Sequence, residues 1–344
     1  MLKPLICFHP SGKYLRSVDY SIIAKPSLEK LNSSKPKVFQ IDYEWNQDLP
    51  QNKDGLYPTQ GLKFYELNSY TLFDSNELLN QNAEGDYFKR SEFTPLISKE
   101  IYKSAVQEIL RKISLGFFYQ LNYTLPFQAN FEGTEWGIFK HYHSLFSGDF
   151  HALLPDDDYS IISMSPELFL EKNGTQLTTK PIKGTATKAE EILFSEKENA
   201  ELSMIVDLLR NDLNSVANLQ AAKVLKHRAI MDLGHLIHTY SEITAQSSLS
   251  LPEILKKMLP GGSISGCPKK EACLTIDELE PYRRQAYTGI IGFSEGDHAL
   301  ISIAIRTFIA TKDKKIYYHS GGGIVFDSKW EKEYDELLLK ASRI

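Results

Sequence analysis

Residues 286–326 read "AYTGIIGFSEGDHALISIAIRTFIATKDKKIYYHSGGGIVF". Three apolar runs, "AYTGIIGF", "HALISIAIRTF" and "KKIYYHSGGGIVF", are parted by polar turns, which predicts three strands joined as a meander. In the middle run Ala299, Ile301, Ile303 and Ile305 alternate with Leu300, Ser302, Ala304 and Arg306, so the expectation is one strand with Arg306 ending a face of small residues. Residues 327–344 then carry helical spacing, with Ser328 and Glu331 in capping-box register. Successive strands and long helices, without strict βαβ alternation, place the chain in the α+β class. The architecture expected is large mixed or antiparallel sheets packed together and flanked by helices.

Working outward, "SPELFLEKNGTQLTTKPIKGT" (165–185) predicts a β-hairpin about Asn173-Gly174. Counting along that ladder opposes 167 with 180 and puts Lys183 on the other face, although Pro166 and Pro181 interrupt the pairing. In 195–216 Leu202, Ile205, Val206, Leu209 and Leu213 form one helical stripe. Ser98 is placed to cap a further helix in which Ile101, Ala105, Ile109 and Ile113 recur, stopped by Gly116. The polar stretch "NQNAEGDYFKRSEFTP" (80–95) reads as a connector between a short N-terminal region, 1–94, and a catalytic region, 95–344.

With 344 residues, 42% hydrophobic, the chain can bury one large or two smaller cores. Its net charge of −5, without a basic cluster, argues against nucleic-acid and polybasic membrane partners and leaves small metabolites as the natural ligands. Three cysteines, Cys7, Cys267 and Cys273, form no CxxC pair and point to a reducing compartment. The opening apolar run is too short for a signal peptide and no window approaches a membrane span, so the expected location is cytoplasmic.

Four glutamates come in two pairs, Glu198 with Glu201 and Glu333 with Glu336, each three apart and so on one helical face. Such faces meeting across a cleft would give Mg²⁺ hard oxygen ligands; standing alone they are more often solvated surface. The planar fork of Arg306 suits a carboxylate, and a structural ion pair is the equal alternative. "PGGSISGCPKK" (260–270) fails as a P-loop, since Cys267 and Pro268 stand where Lys and Ser/Thr belong. Like "SGGGIVF" (320–326), it is either an anion cradle or a tight turn. The histidines of "HYH" (141–143) and "HLIH" (235–238) lack companion ligands and read as structural or substrate-facing. Lys183, between Pro181 and Gly184, becomes a nucleophile only where a dry pocket lowers its pKa.

Taken in order, "GFFYQLNYT", "SPELF", "PIKGT", "ENAELSMIVDLLRND", "PGGSISGCPK", "DELEPYRRQAYTGIIGF", "IAIRTF" and "GGGIVFDSKWEKEYDELLLKA" resemble the chorismate-utilising enzymes from about residue 95 to the end. The resemblance implies the anthranilate synthase component I-like fold. It also implies that Glu201 and Glu336 hold Mg²⁺, with Glu198 and Glu333 supporting, and that the metal takes the ring carboxylate of chorismate. Arg306 and Tyr287 would hold the enolpyruvyl carboxylate, helped by backbone around Gly321 and Gly323. Lys340 would meet the ring carboxylate, His235 matches the family's active-site histidine, and Gly184, Thr185 and Ser265 would line the substrate.

Two positions separate the branches of the family. Branches that activate water use a lysine on the strand that here reads "YQLNYT", where Gln120 cannot act as a base. "PIKGT" resembles the aminodeoxychorismate synthases, whereas anthranilate synthases resemble "PIAGT". In the former branch Lys183 attacks C2 of chorismate, Glu167 protonates the departing C4 hydroxyl, and ammonia then adds at C4. The expected partners are therefore chorismate, ammonia and a glutamine amidotransferase subunit, and the expected product serves p-aminobenzoate and folate synthesis. Anthranilate synthase component I is the alternative, and a non-catalytic subunit docking a glutaminase is the alternative of another class. Leu202, Trp330 and Cys267 depart from residues usual in the family, and none of them removes a charged ligand.

Overall fold

The computed structural model describes residues 3–344 except 25, 46, 48–52, 60, 82–85, 147, 187–195 and 233–236; in 183–186, 196–201, 231–232 and 237–238 it describes the backbone alone. Its centre is a long antiparallel ladder between the strands Gln120–Gly133 and Lys315–Val325, running from Lys315 opposite Asn130 to Val325 opposite Gln120. Every second residue of the former strand from Leu121 to Phe127 is buried and apolar, the period a strand requires. The N-terminal strands join the same sheet: Lys37–Ile41 pairs with Ile290–Glu295, and Leu5–Phe8 meets Phe150–Pro155. The fold is α+β, dominated by antiparallel pairing, with helices laid against it.

The expected meander is interrupted. Ile290–Glu295 pairs with His298–Ile303, and Thr307–Thr311 pairs with Lys315–Val325, but the middle run is two strands. His298–Ile303 passes on to Leu168–Asn173, whereas Thr307–Thr311 passes on to Tyr159–Ser165. The change of partner falls at 304–306, where Arg306 adopts a left-handed φ of 49°. Arg306 is thus in a break between strands, not at the end of one strand face.

The hairpin forms at its Asn-Gly signal, with Gly174 at φ 58° and Asn173 opposite Gln176. Its turn residues are Gly174 and Thr175, and an irregularity between Leu168 and Glu171 brings Leu168 opposite Lys180, so the counted register is corrected. The helix Lys99–Ser114 starts where Ser98 accepts from Ile101 N at 3.3 Å and stops before Gly116, at φ 79°. Its buried stripe is Tyr102, Ala105, Val106 and Ile109, with Ile101 outside it at 49% exposure. The helix Glu196–Asn214 buries Leu202, Ile205, Val206, Leu209 and Leu213 as its spacing predicts. The last helix, Trp330–Ser342, has Lys329 at its N-cap, so the Ser328–Glu331 box does not form. Ser328 Oγ instead donates to Glu333 Oε1 at 2.8 Å.

Candidate active site

Three chain reversals meet where the middle run breaks. The "SPELF" turn is the first. Ser165 Oγ donates to Ile303 O at 2.6 Å and accepts from Glu167 N at 3.2 Å, while Ile303 N donates to Glu167 O at 3.1 Å. The half-buried Glu167 carboxylate accepts from Ser263 Oγ at 3.1 Å, which ties it to the glycine-rich stretch.

The second reversal carries Arg306. Its carbonyl accepts from Met164 N at 3.0 Å, and its guanidinium lies over the Phe146 ring at 5.3 Å. Burial pulls its pKa below the ordinary arginine value, with the nearby Tyr318 acting against that shift. A left-handed arginine is strained by about 1–3 kcal/mol and persists only where its surroundings overdetermine it.

The third reversal carries Tyr287. Thr288 N donates to Ala304 O at 2.9 Å, and Ala304 N donates to Gly289 O at 2.8 Å, which fastens this turn to the break. The Tyr287 ring stacks on His319, centroids 4.9 Å apart and planes at 19°. Burial holds the Tyr287 hydroxyl well above its usual pKa and pushes His319 down to about 3, so both rings are neutral.

Below these turns Arg284 is fully buried. Its Nε and Nη2 donate to the two Glu280 oxygens at 2.8 and 2.7 Å, and Nη1 and Nη2 donate to Ile264 O and Asn122 O at 2.8 and 2.5 Å. Glu280 Oε1 also accepts from Thr124 N and Oγ1, both at 2.9 Å. One ion pair therefore pins the central strand, the glycine-rich stretch and the Tyr287 turn together.

The last helix packs against the same ladder. A Cβ on Gly322 would stand 3.6 Å from Glu333 Oε2, and Lys340 Nζ lies 2.8 Å from Glu336 Oε1 and donates to Gly321 O at 3.3 Å. Gly321 and Gly323 let strands and side chains approach closely: a Cβ would meet Tyr123 O at 2.6 Å in the first case and Gln120 Nε2 at 2.4 Å in the second. Ser265 is buried, its Oγ donating to Gly261 O at 2.7 Å. Asp212 links the middle helix to the same stretch, accepting from Gly262 N at 3.2 Å and pairing with Lys269 at 2.7 Å.

The structure thus brings Glu167, Arg306 and Tyr287 together through backbone bonds, with Ser265, Gly321, Gly323, Glu333, Glu336 and Lys340 on the adjoining ladder and helix. The backbone of Lys183 is opposite Thr239 and that of Thr185 opposite His238, in the strand Ile182–Ala186 that also contains Gly184. The side chains of Lys183, Glu198, Glu201 and His235 lie outside the described residues. Among the described residues no three His, Cys, Asp or Glu side chains gather to hold a metal. His143 bonds His151 and Ser75, at 2.8 and 2.7 Å, as a structural histidine would. Sequence reasoning missed Ser263, Glu280 and Arg284. Arg284 and Glu280 stand in "ELEPYRR", and their i,i+4 spacing was the available signal.

The half-buried Arg306, the buried Tyr287 and the half-buried Glu167 therefore stand on three turns bonded to one another, and the last helix packs on the adjoining ladder. The chain belongs to the chorismate binding enzymes, whose family pattern it matches over residues 41–344. It is 38% identical over 256 residues to aminodeoxychorismate synthase component 1 of Salmonella typhimurium, covering 71% of this chain and 56% of that protein. To the protein of that name in Escherichia coli it is 33% identical over 318 residues, covering 86% and 70%. Anthranilate synthase component 1 of Thermus thermophilus is 33% identical over 266 residues, covering 73% and 57%. The chain therefore spans between 56% and 70% of the length of these relatives. The crystal structure of anthranilate synthase component I from Streptococcus pneumoniae superimposes with a TM-score of 0.82 at 23% identity, covering 98% of this chain and 89% of that one, and so shares the fold.

Proposed function

We propose that the chain aminates chorismate at C4, as an aminodeoxychorismate synthase component 1, using ammonia supplied by a glutamine amidotransferase subunit. The observation that carries this is Lys183 within "PIKGT", on a strand that continues from the hairpin begun at the Glu167 turn. The reaction needs a nucleophile at C2 and an acid at C4. The deprotonated Lys183 amine attacks C2, both conjugated ring double bonds shift, and the C4–O bond breaks. Glu167, as the carboxylic acid, protonates the departing hydroxyl, which leaves as water. Ammonia then forms the C4–N bond, both double bonds shift back, and the C2–N bond to Lys183 breaks. The half-buried Glu167 is held in place by the Ser263 hydroxyl that donates to it, which supports a carboxyl fixed for proton transfer.

Arg306 and Tyr287 hold the enolpyruvyl carboxylate in this reading. A desolvated guanidinium gains from an arriving carboxylate, and a neutral phenol donates to it. Lys340 faces the ring carboxylate, His235 completes the catalytic set, and Gly184, Thr185, Ser265, Gly321 and Gly323 shape the pocket. Glu201 and Glu336, supported by Glu198 and Glu333, would hold Mg²⁺; the carboxylates of the half-buried Glu333 and the exposed Glu336, one helical turn apart, are donors of the hard type it takes. Bound there, the ion would neutralise substrate carboxylate charge.

The test is product identification. Incubation with chorismate, Mg²⁺ and ammonium is expected to yield p-aminobenzoate only when aminodeoxychorismate lyase is added. Anthranilate fluorescence without the lyase overturns the reading in favour of the second branch, which the Thermus relative's 33% identity keeps in view. Lys183→Ala should lose the covalent substrate adduct in intact-mass spectra.

A further inference from the structure

The turn that carries Tyr287 is held by residues more than 220 positions earlier in the chain. Arg284 N donates to Glu44 Oε1 at 2.6 Å and Gln285 N to Glu44 Oε2 at 3.0 Å, so one carboxylate takes two consecutive amides. Ala286 N donates to the Tyr57 hydroxyl at 2.9 Å, and Gln285 O accepts from Tyr43 N at 2.8 Å. The Gln285 side chain returns the contact, donating to Tyr57 O at 2.5 Å and accepting from Leu56 N at 2.8 Å. Residues 43–57 thereby satisfy three successive amides and one carbonyl immediately before Tyr287.

The backbone needs such holding. Gln285 and Thr288 flank Tyr287 closely, at φ 55° and 59°, and Thr288 N is bonded to Ala304 O, two residues before the left-handed Arg306. Non-glycine residues in that region relax to ordinary geometry unless their surroundings forbid it. Releasing the 284–286 amides would let the turn relax, and the Tyr287 hydroxyl and Arg306 fork would move with it.

We propose that Glu44, assisted by Tyr57, is a positioning residue for substrate binding: the N-terminal region sets the geometry with which Tyr287 and Arg306 grip a carboxylate. This rests on the reading of those two side chains given under Proposed function. A carboxylate is the group suited to the task, because its two oxygens accept two adjacent N–H groups, where an amide would offer one of them an N–H.

The test uses the full chain with chorismate, Mg²⁺ and ammonium, comparing Glu44→Gln and Tyr57→Phe with wild type. Glu44→Gln is expected to raise KM for chorismate roughly tenfold, the worth of a charge-assisted hydrogen bond, with kcat within about twofold. Tyr57→Phe is expected to raise it about threefold. A merely structural role lowers the melting temperature and the active fraction but leaves KM alone, and that result in both variants overturns the proposal. Should Glu44→Gln not fold, Tyr57→Phe decides by the same criterion. A wild type that consumes no chorismate overturns the proposed function and this inference with it; wild-type turnover with unchanged KM in the variants overturns this inference alone.

Discussion

The two ends of the candidate site are built on opposite principles. The end that carries the buried Tyr287 and the half-buried Arg306 is fixed by Arg284 and Glu280, and contains three non-glycine residues at positive φ: Gln285, Thr288 and Arg306. The end on the last helix is open: Glu336 and Lys340 are 57% and 45% exposed and satisfy each other at 2.8 Å. A rigid, desolvated grip orients one part of a ligand at an expense met during folding. An exposed ion pair exchanges partners at little expense, as a site for a hydrated cation must. In the proposed reading, substrate geometry would be set at the first end and charge adjusted at the second.

Breaking the rigid end should have the largest effect. Arg284→Met leaves Glu280 charged, buried and without its cation, a change that costs about 3–5 kcal/mol. Urea unfolding should show that loss, and replacement of both residues by apolar side chains should recover a large part of it. Unchanged stability in the single variant would mean that the pair contributes nothing to holding the turns.

Arg306→Ala tests the grip itself. In the proposed reading this half-buried guanidinium holds a substrate carboxylate, so its loss should lower kcat/KM at least about a hundredfold. Arg306→Lys keeps the charge without the planar fork and should fall between the two. Stability should change less than in Arg284→Met, because the half-buried Arg306 stands nearer to water than the fully buried Arg284–Glu280 pair.

The Glu44 contact gives the rigid end a pH dependence. Burial, with Asp42 close by, raises the Glu44 carboxyl to about 7, while the Arg284 and Gln285 amides act against the shift. Asp42 is itself pushed up by burial, opposed by Thr59, Gln40, Arg283 and Lys63. A carboxyl whose folded pKa lies above its unfolded value of 4.5 stabilises the fold fully below 4.5 and loses that contribution as pH rises through about 7. The melting temperature of wild type relative to Glu44→Gln should therefore fall between pH 5 and pH 8, read by calorimetry at both ends (~4 °C or less).

Much of this was legible in the sequence where local chemistry decides structure. The Asn173-Gly174 turn, the Ser98 cap and the Leu202–Leu213 stripe all follow from spacing alone. The break at 304–306 was not legible, because "ISIAIRTF" keeps its alternation straight through it and nothing local marks Arg306 as left-handed. Ser328 missed its predicted role because Glu333 Oε1 offered it a side-chain acceptor. The Glu44 contact joins residues 240 apart in the chain, beyond any periodic signal. What sequence reading misses here are tertiary bonds to strained turns, and those are the bonds that shape the site.

The open end should respond least, and in a direction the rigid end cannot show. Lys340 neutralises Glu336 and also donates to Gly321 O, so it competes with a cation for the Glu336 carboxylate. Removing it in Lys340→Met relieves that competition. Mg²⁺ affinity, measured by calorimetry without substrate, should rise about two- to threefold, the scale of an exposed pair worth under ~1 kcal/mol. In turnover the same variant should need more chorismate if Lys340 faces the ring carboxylate as proposed, while its melting temperature stays within ~1 °C of wild type. Opposite shifts in cation and substrate affinity would show that Lys340 divides its charge between Glu336 and the ligand. A fall in both would mean that it orders the helix face, and the contrast between the two ends would then be one of exposure alone.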